Sequence, residues 1–160
     1  MTQEILTGLY WSMAVTSGLM AGTYLAFSVV IMNSLAMLGT AKGIEAMNTI
    51  NTVILRTAFM PLFFVSATMA LLMMLTGLWF WGEPGSERAI IAGTVYVFGM
   101  FITTAAANVP LNNILASFSG REPEAVRMWE SYLTRWTRWN SLRAIASIVT
   151  LVISIDLLSR

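Results

Sequence analysis

From Ile5 to Met32 the chain carries no charged residue. A run of about 20 apolar residues suffices to cross a bilayer as a helix. Only a helix or a closed barrel satisfies its own backbone there, and this run has no strand-like alternation. Three further apolar stretches follow, at about 53–81, 89–118 and 140–158. The expected fold is an all-α membrane protein. It is a four-transmembrane-helix up-down bundle, with spans at about 5–32, 53–81, 89–118 and 140–158, and one domain covers 1–160. An additional amphipathic helical stretch at about 123–139 precedes the fourth span.

The whole chain fits that reading. It is 57% hydrophobic and 11% charged, where a soluble domain carries about 25% charge. A formal net charge of +1 gives no basic field for nucleic acid. The chain contains no cysteine and no histidine, which removes disulfides, thiolate nucleophiles, His-based triads, His-ligated haem and ordinary zinc sites. The twelve methionines lack the close pairing of a copper-thioether site and read as packing or lipid-facing residues. The start Thr2-Gln3-Glu4 has no basic leader, so no cleaved signal peptide is expected.

Along the first span, Gly18, Gly22 and Ala26 form a small-residue row that lets another helix approach closely. A second copy of the chain, as a homo-oligomer, is one candidate for that face. The first connection, Asn33 to Thr52, ends in an approach to the second span, with Asn48 and Asn51 as candidate caps. Trp79 and Trp81 close the second span in the position of an aromatic belt. In the third span Pro110 is expected to kink the helix and free a carbonyl. Around it stand Asn108, Asn112 and Asn113, amides that a membrane tolerates only when they pair or line a polar cavity. Pro123 is placed to start the next helix.

That helix begins W-E-S-Y-L-T-R-W-T-R-W-N-S-L-R, Trp129 to Arg143. Trp129, Tyr132, Trp136, Trp139 and Arg143 recur at helical spacing and share one face. This face meets either the rest of the protein or the headgroup layer. Seven basic residues, Lys42, Arg56, Arg121, Arg127, Arg135, Arg138 and Arg143, fall at the first and third connections; Arg88 and Arg160 fall on the other side. The positive-inside rule then places those connections in the cytoplasm and both termini outside. In an up-down bundle Asn33, Asn51, Asn108, Asn112, Asn140 and Arg143 reach one depth. Such a cluster under aromatic side chains suits a ligand pocket between helices.

N-V-P-L-N-N at Asn108–Asn113, with W-x-x-Y at Trp129 and W-x-x-W-N-x-x-R at Trp136–Arg143, resembles the anthrone oxygenase-like family of small membrane proteins. G-L-M-A-G-x-Y-x-A-F-S at Gly18–Ser28 and A-M-N-x-I-N at Ala46–Asn51 are similar as well. The resemblance implies a four-helix membrane bundle. It also implies cofactor-free insertion of oxygen into an anthrone-like, hydrophobic aromatic or quinone-like molecule. By position it implies Arg143, Asn108 and Asn140 as catalytic residues, and Asn112, Trp136, Trp139, Tyr132 and Trp129 as substrate-binding residues. No metal and no cofactor is expected. The expected partners are the lipid bilayer and a hydrophobic small molecule. Ser141 stands where many relatives carry histidine, and Glu130 and Tyr132 are the only titratable candidates for a base on or beside the aromatic face. The alternative is a non-catalytic lipophile-binding protein or the small subunit of a membrane complex.

Overall fold

The computed structural model describes residues 2–159, and no strand occurs among them. Four helical rods, Gln3–Met37, Phe59–Trp79, Ser86–Leu115 and Ala125–Leu158, are long and apolar enough to cross a membrane. The protein is an integral membrane protein. The first rod is α1 (Thr2–Ala26), a π-helical turn π1 (Phe27–Ile31) and α2 (Met32–Met37). The second rod is α4 (Phe59–Trp79). The third is α5 (Ser86–Tyr96), π2 (Val97–Ile102), π3 (Thr104–Asn108) and α6 (Val109–Leu115). The fourth is α7 (Ala125–Leu158), one uninterrupted helix that contains both the amphipathic stretch and the last span.

The first connection differs from its expected form. Most of it is helix: α3 (Thr40–Ile54) follows a break at Gly39, whose φ of 78° suits glycine. Asn48 and Asn51 therefore lie inside α3 and cap nothing. Their side chains turn inward, and Asn48 Nδ2 donates to the Leu115 carbonyl at 3.4 Å. The fourth helix starts at Ala125, two residues beyond Pro123. Before it, the Glu122 carboxylate accepts from the Ser119 and Gly120 amides and the Ser119 hydroxyl, which closes the turn. Pro110 is accommodated by π3 just ahead of it, where Val109 N–H reaches back five residues to the Thr104 carbonyl.

The rods run antiparallel. Gly120 abuts Ala41, so the first and third connections pack together at one end. At the other end the Arg88–Asp156 ion pair, 3.3 Å, joins the first turn of α5 to the end of α7. Arg160, counted on that sparse side, lies outside the described residues. α4 has 21 residues, about 31 Å, which matches a hydrocarbon core of about 30 Å. α7 has 34 residues, about 51 Å, and overshoots by about 20 Å. Arg127, Arg135 and Arg138 put that overshoot at its first turns.

Two packed groups make the core. One joins α1, α4, α5, π2 and α7 through Met13, Met20, Met73, Tyr96, Met100 and Ala144, all fully or almost fully buried. The other joins α2, α3, α6 and the start of α7 through Ile44, Met47, Leu115, Trp129, Tyr132 and Trp136. Six of the methionines are buried, where an unbranched thioether fills irregular gaps. Trp79 and Trp81 are exposed at the end of the second rod, as an aromatic belt requires. Gly18 faces Leu151 of α7 inside the bundle, whereas a Cβ on Gly22 would meet open space.

Candidate functional site

α7 builds the site. Its buried stripe reads Trp129, Tyr132, Trp136, Asn140, Arg143, Ser147, Thr150, Ser154. The aromatic residues of the stripe pack inward, with Trp129 on Tyr132 and Tyr132 on Trp136 at 5.7 and 6.2 Å between ring centroids. Trp139 does not share this face. It is 42% exposed, and Asn140 takes the inward place. A turn of 3.6 residues leaves positions 139 and 140 equally near the stripe, and long-range bonds decide between them.

Those bonds are specific. Asn140 Nδ2 donates to the Tyr24 carbonyl at 2.7 Å and to Ser28 Oγ at 2.7 Å. The Tyr24 carbonyl lies just ahead of π1, where the helical hydrogen-bond ladder changes step. Ser28 and Ser141 share a hydroxyl–hydroxyl bond of 2.9 Å beside it. Asn140 Oδ1 then accepts from Arg143 Nη2 at 2.7 Å. One carboxamide thus fastens the first rod and orients the guanidinium.

Arg143 is 5% exposed. Nη1 donates to Thr104 Oγ1 at 3.3 Å. The guanidinium carbon sits 4.3 Å from the Tyr24 ring centroid and 5.4 Å from that of Trp136, so the charge is held over two aromatic faces. Nε has no hydrogen-bond partner. Asn108 Nδ2 donates to the Trp136 carbonyl at 3.2 Å, and its Oδ1 is buried without a partner. One turn on, Asn112 Oδ1 accepts from both Tyr132 Oη and Trp136 Nε1, each at 2.8 Å. The two amides therefore lock the third rod to α7 while facing a common space.

That space is a cavity of about 720 Å³. Arg143, Asn108, Asn140, Asn112 and Trp136 line it. Tyr132 and Trp129 do not; they stand behind Trp136 and Asn112, and Trp129 fits against the missing side chain of Gly43. Trp139 stands outside it. The remaining wall is aromatic and aliphatic: Phe27, Phe59, Phe63 and Phe101, with Phe63 stacked on Phe101 at 5.4 Å. Asn51 and Asn48 close the end beneath α3, and Asn51 Nδ2 and Asn48 Oδ1 are buried and unpaired.

The charge balance of this cavity is one-sided. Arg143 and Tyr24 are its titratable groups, and no carboxylate lines it. Glu130 is exposed on the outer side of α7, and Tyr132 spends its hydroxyl on Asn112. Tyr24 is the functional candidate that the spacing arguments did not single out. Its signal is its place in the Gly18–Ser28 motif, one helical turn before Ser28.

With this geometry in place, comparison with known proteins adds one match. The sequence model of the anthrone oxygenase family matches residues 51–153, well over half of the chain. The matched region holds Asn108, Asn112, Trp136, Asn140 and Arg143, whereas Tyr24 and Ser28 lie ahead of it. No curated protein and no solved structure matches the chain.

Proposed function

Because this chain belongs to the anthrone oxygenase family, we propose that it binds a flat, weakly acidic aromatic ketone or phenol and promotes its oxygenation by O2. The observation that carries this reading is a buried guanidinium with no carboxylate on its cavity wall. A buried cation without an acid is costly, and an anionic oxygen on a ligand would supply the missing partner.

The chemistry follows from that partner. An anthrone-like methylene loses a proton and becomes an aromatic enolate whose charge rests on oxygen. Arg143 holds that oxygen, Asn140 keeps Arg143 in place, and Asn108 adds amide polarity to the wall. O2 adds at the carbanion carbon, the released proton returns to the peroxide, and loss of water leaves a carbonyl. The sum is one methylene and one O2 giving one carbonyl and one water. Trp136, Phe27 and the phenylalanines of α4 supply faces against which a planar ring system packs. A cation that stabilises the enolate lowers the substrate's own pKa, so the first proton can pass to water.

Oxygen uptake by the protein in liposomes, supplied with an anthrone and corrected for spontaneous oxidation in empty liposomes, tests this. Arg143→Met is expected to remove about two to three orders of magnitude of the catalysed rate, with the melting temperature held or raised. An unchanged rate in Arg143→Met rejects the assignment. The absence of a carboxylate on the wall favours one second reading, a carrier that holds the same class of molecule without turning it over. Ligand binding with no oxygen uptake above the blank selects it. For sidedness, we propose that the first and third connections face the cytoplasm, a placement that labelling of single engineered thiols in intact cells tests.

A further inference from the structure

Phe64, Ala105 and Val109 line the cavity and are also exposed on the outside of the bundle. All three belong to helices long and apolar enough to cross a membrane. Wall residues that touch both the cavity and the exterior mark an opening, and here it lies on the flank of the bundle. Phe64 is five residues into α4, about 8 Å from its start, so the opening sits just below the membrane boundary. Leu55, Thr52, Asn113 and Ala116, likewise on the cavity wall and exposed, continue the rim toward the boundary. Ala105 follows Thr104, whose hydroxyl holds Arg143. Thr104 and Arg143 line the cavity into which it opens.

The rim of Phe64, Ala105, Val109 and Leu55 carries no charge. At that depth its neighbours are acyl chains, and a permanently charged ligand would have to leave water to reach it. A neutral planar aromatic with a polar edge collects at the interface, as tryptophan and tyrosine side chains do. We infer that the ligand enters sideways from the bilayer, through the slot between the first two turns of α4 and the π3–α6 segment. This rests on the reading of the cavity as the substrate site and narrows its substrate class. The substrate is a bilayer-dissolved hydroxy- or oxo-aromatic that is neutral in the lipid and ionises only against Arg143; carboxylates and phosphates are excluded. An aqueous route would instead pass beside α3. There a second cavity of about 590 Å³, with Glu45 and Arg121 on its wall, shares Asn48 and Thr52 with the first.

The chain contains no cysteine, so a single engineered thiol reports without interference. Met47→Cys places one on the cavity wall, at a position with no outside exposure. Its labelling in liposomes is compared for a benzyl maleimide and a sulfonated maleimide. The benzyl reagent is expected to react faster by at least an order of magnitude. Adding Val109→Trp or Ala105→Trp, both at exposed positions, is expected to slow that reaction by a similar factor at unchanged melting temperature. The proposal is overturned if the sulfonated reagent reacts as fast, and is slowed by Thr52→Trp but not by Val109→Trp. It is equally overturned if neither reagent reaches the thiol in the folded protein. Met60→Cys, on the same wall, serves if Met47→Cys does not fold. No substrate takes part, so failure here leaves the oxygenase reading standing, and failure of oxygen uptake leaves the slot standing.

Discussion

The second and third rods meet very differently at their two ends. Near their shared turn they are zipped together by glycine. A Cβ on Gly93 would stand 2.5 Å from the Ala70 carbonyl oxygen, and one on Gly77 would stand 2.7 Å from that of Ser86. At the opposite end, α4 presents Phe59, Phe63 and Phe64 where the closed end presents glycine and alanine. Bulky rings hold the rods apart, and the cavity fills the wedge. A gradient of side-chain size along one helix pair has made a binding site without any long loop. The same contrast runs along α7. Toward the closed end Ser147, Thr150 and Ser154 give their hydroxyls only to backbone carbonyls, one of them Ala92 of the third rod at 3.1 Å, whereas Asn140 and Arg143 at the open end also bond side chains of other rods and face the cavity.

Forcing the closed end apart has the largest expected effect. Gly93→Leu drives a side chain into the Ala70 carbonyl and the Met74 backbone, and is expected to cost more than about 3 kcal/mol or to abolish folding. Denaturant titration in detergent reads it; a loss below 1 kcal/mol would show that the zipper does not set the wedge. Cavity-creating changes then compare the two ends directly. Met73→Ala, in the closed core, is expected to lose about 3 kcal/mol. Phe63→Ala enlarges a space that already exists and is expected to lose about 1–2 kcal/mol despite removing more atoms. Equal losses would mean that the open end is packed as tightly as the closed one.

The amide lock at the open end comes next. Asn112→Leu strands the Tyr132 hydroxyl and the Trp136 indole N–H together and is expected to destabilise by about 2 kcal/mol. Tyr132→Phe in the same background should recover part of that loss, since one orphan disappears. A double-mutant cycle that is additive would contradict the shared acceptor. The smallest effect lies outside the membrane, at the turn before α7. Bonds from the Ser119 amide and hydroxyl and the Gly120 amide hold the Glu122 carboxyl down to about 2. A depressed carboxyl stabilises the folded turn fully above its ordinary value near 4.5. The contribution fades as pH falls through about 2. Amide exchange at Ser119 and Gly120, corrected for intrinsic rates, should show protection lost only at the acidic limit. Glu122→Gln should lose part of that protection already at neutral pH.

Much of this architecture was legible in the residues. Long, predominantly apolar runs fix four rods because a bilayer leaves the backbone no other partners. The amides around Pro110 and the Arg143 charge had to be inside and polar-lined because lipid offers them nothing. In the connection from Asn33 to Thr52, mixed polarity hides the extent of α3, so Asn48 and Asn51 read as caps although they lie inside a helix that packs one face on α6 and Trp129. Tyr24 stands in the Gly18–Ser28 motif, but nothing local separates a cavity tyrosine from a packed one such as Tyr96.

What the sequence determined alone is thus the number of rods, their apolar character and their approximate places in the chain. These depend on local periodicity and on transfer into lipid. Only the tertiary structure decided that Asn140 rather than Trp139 turns inward, since the two compete for one helical face and the Tyr24 carbonyl lies 116 residues away. It alone decided that the cavity opens on the flank of the bundle. That opening depends on how far Gly93 lets two rods approach and how far Phe63 holds them apart, a difference between distant contacts that no single stretch of chain contains.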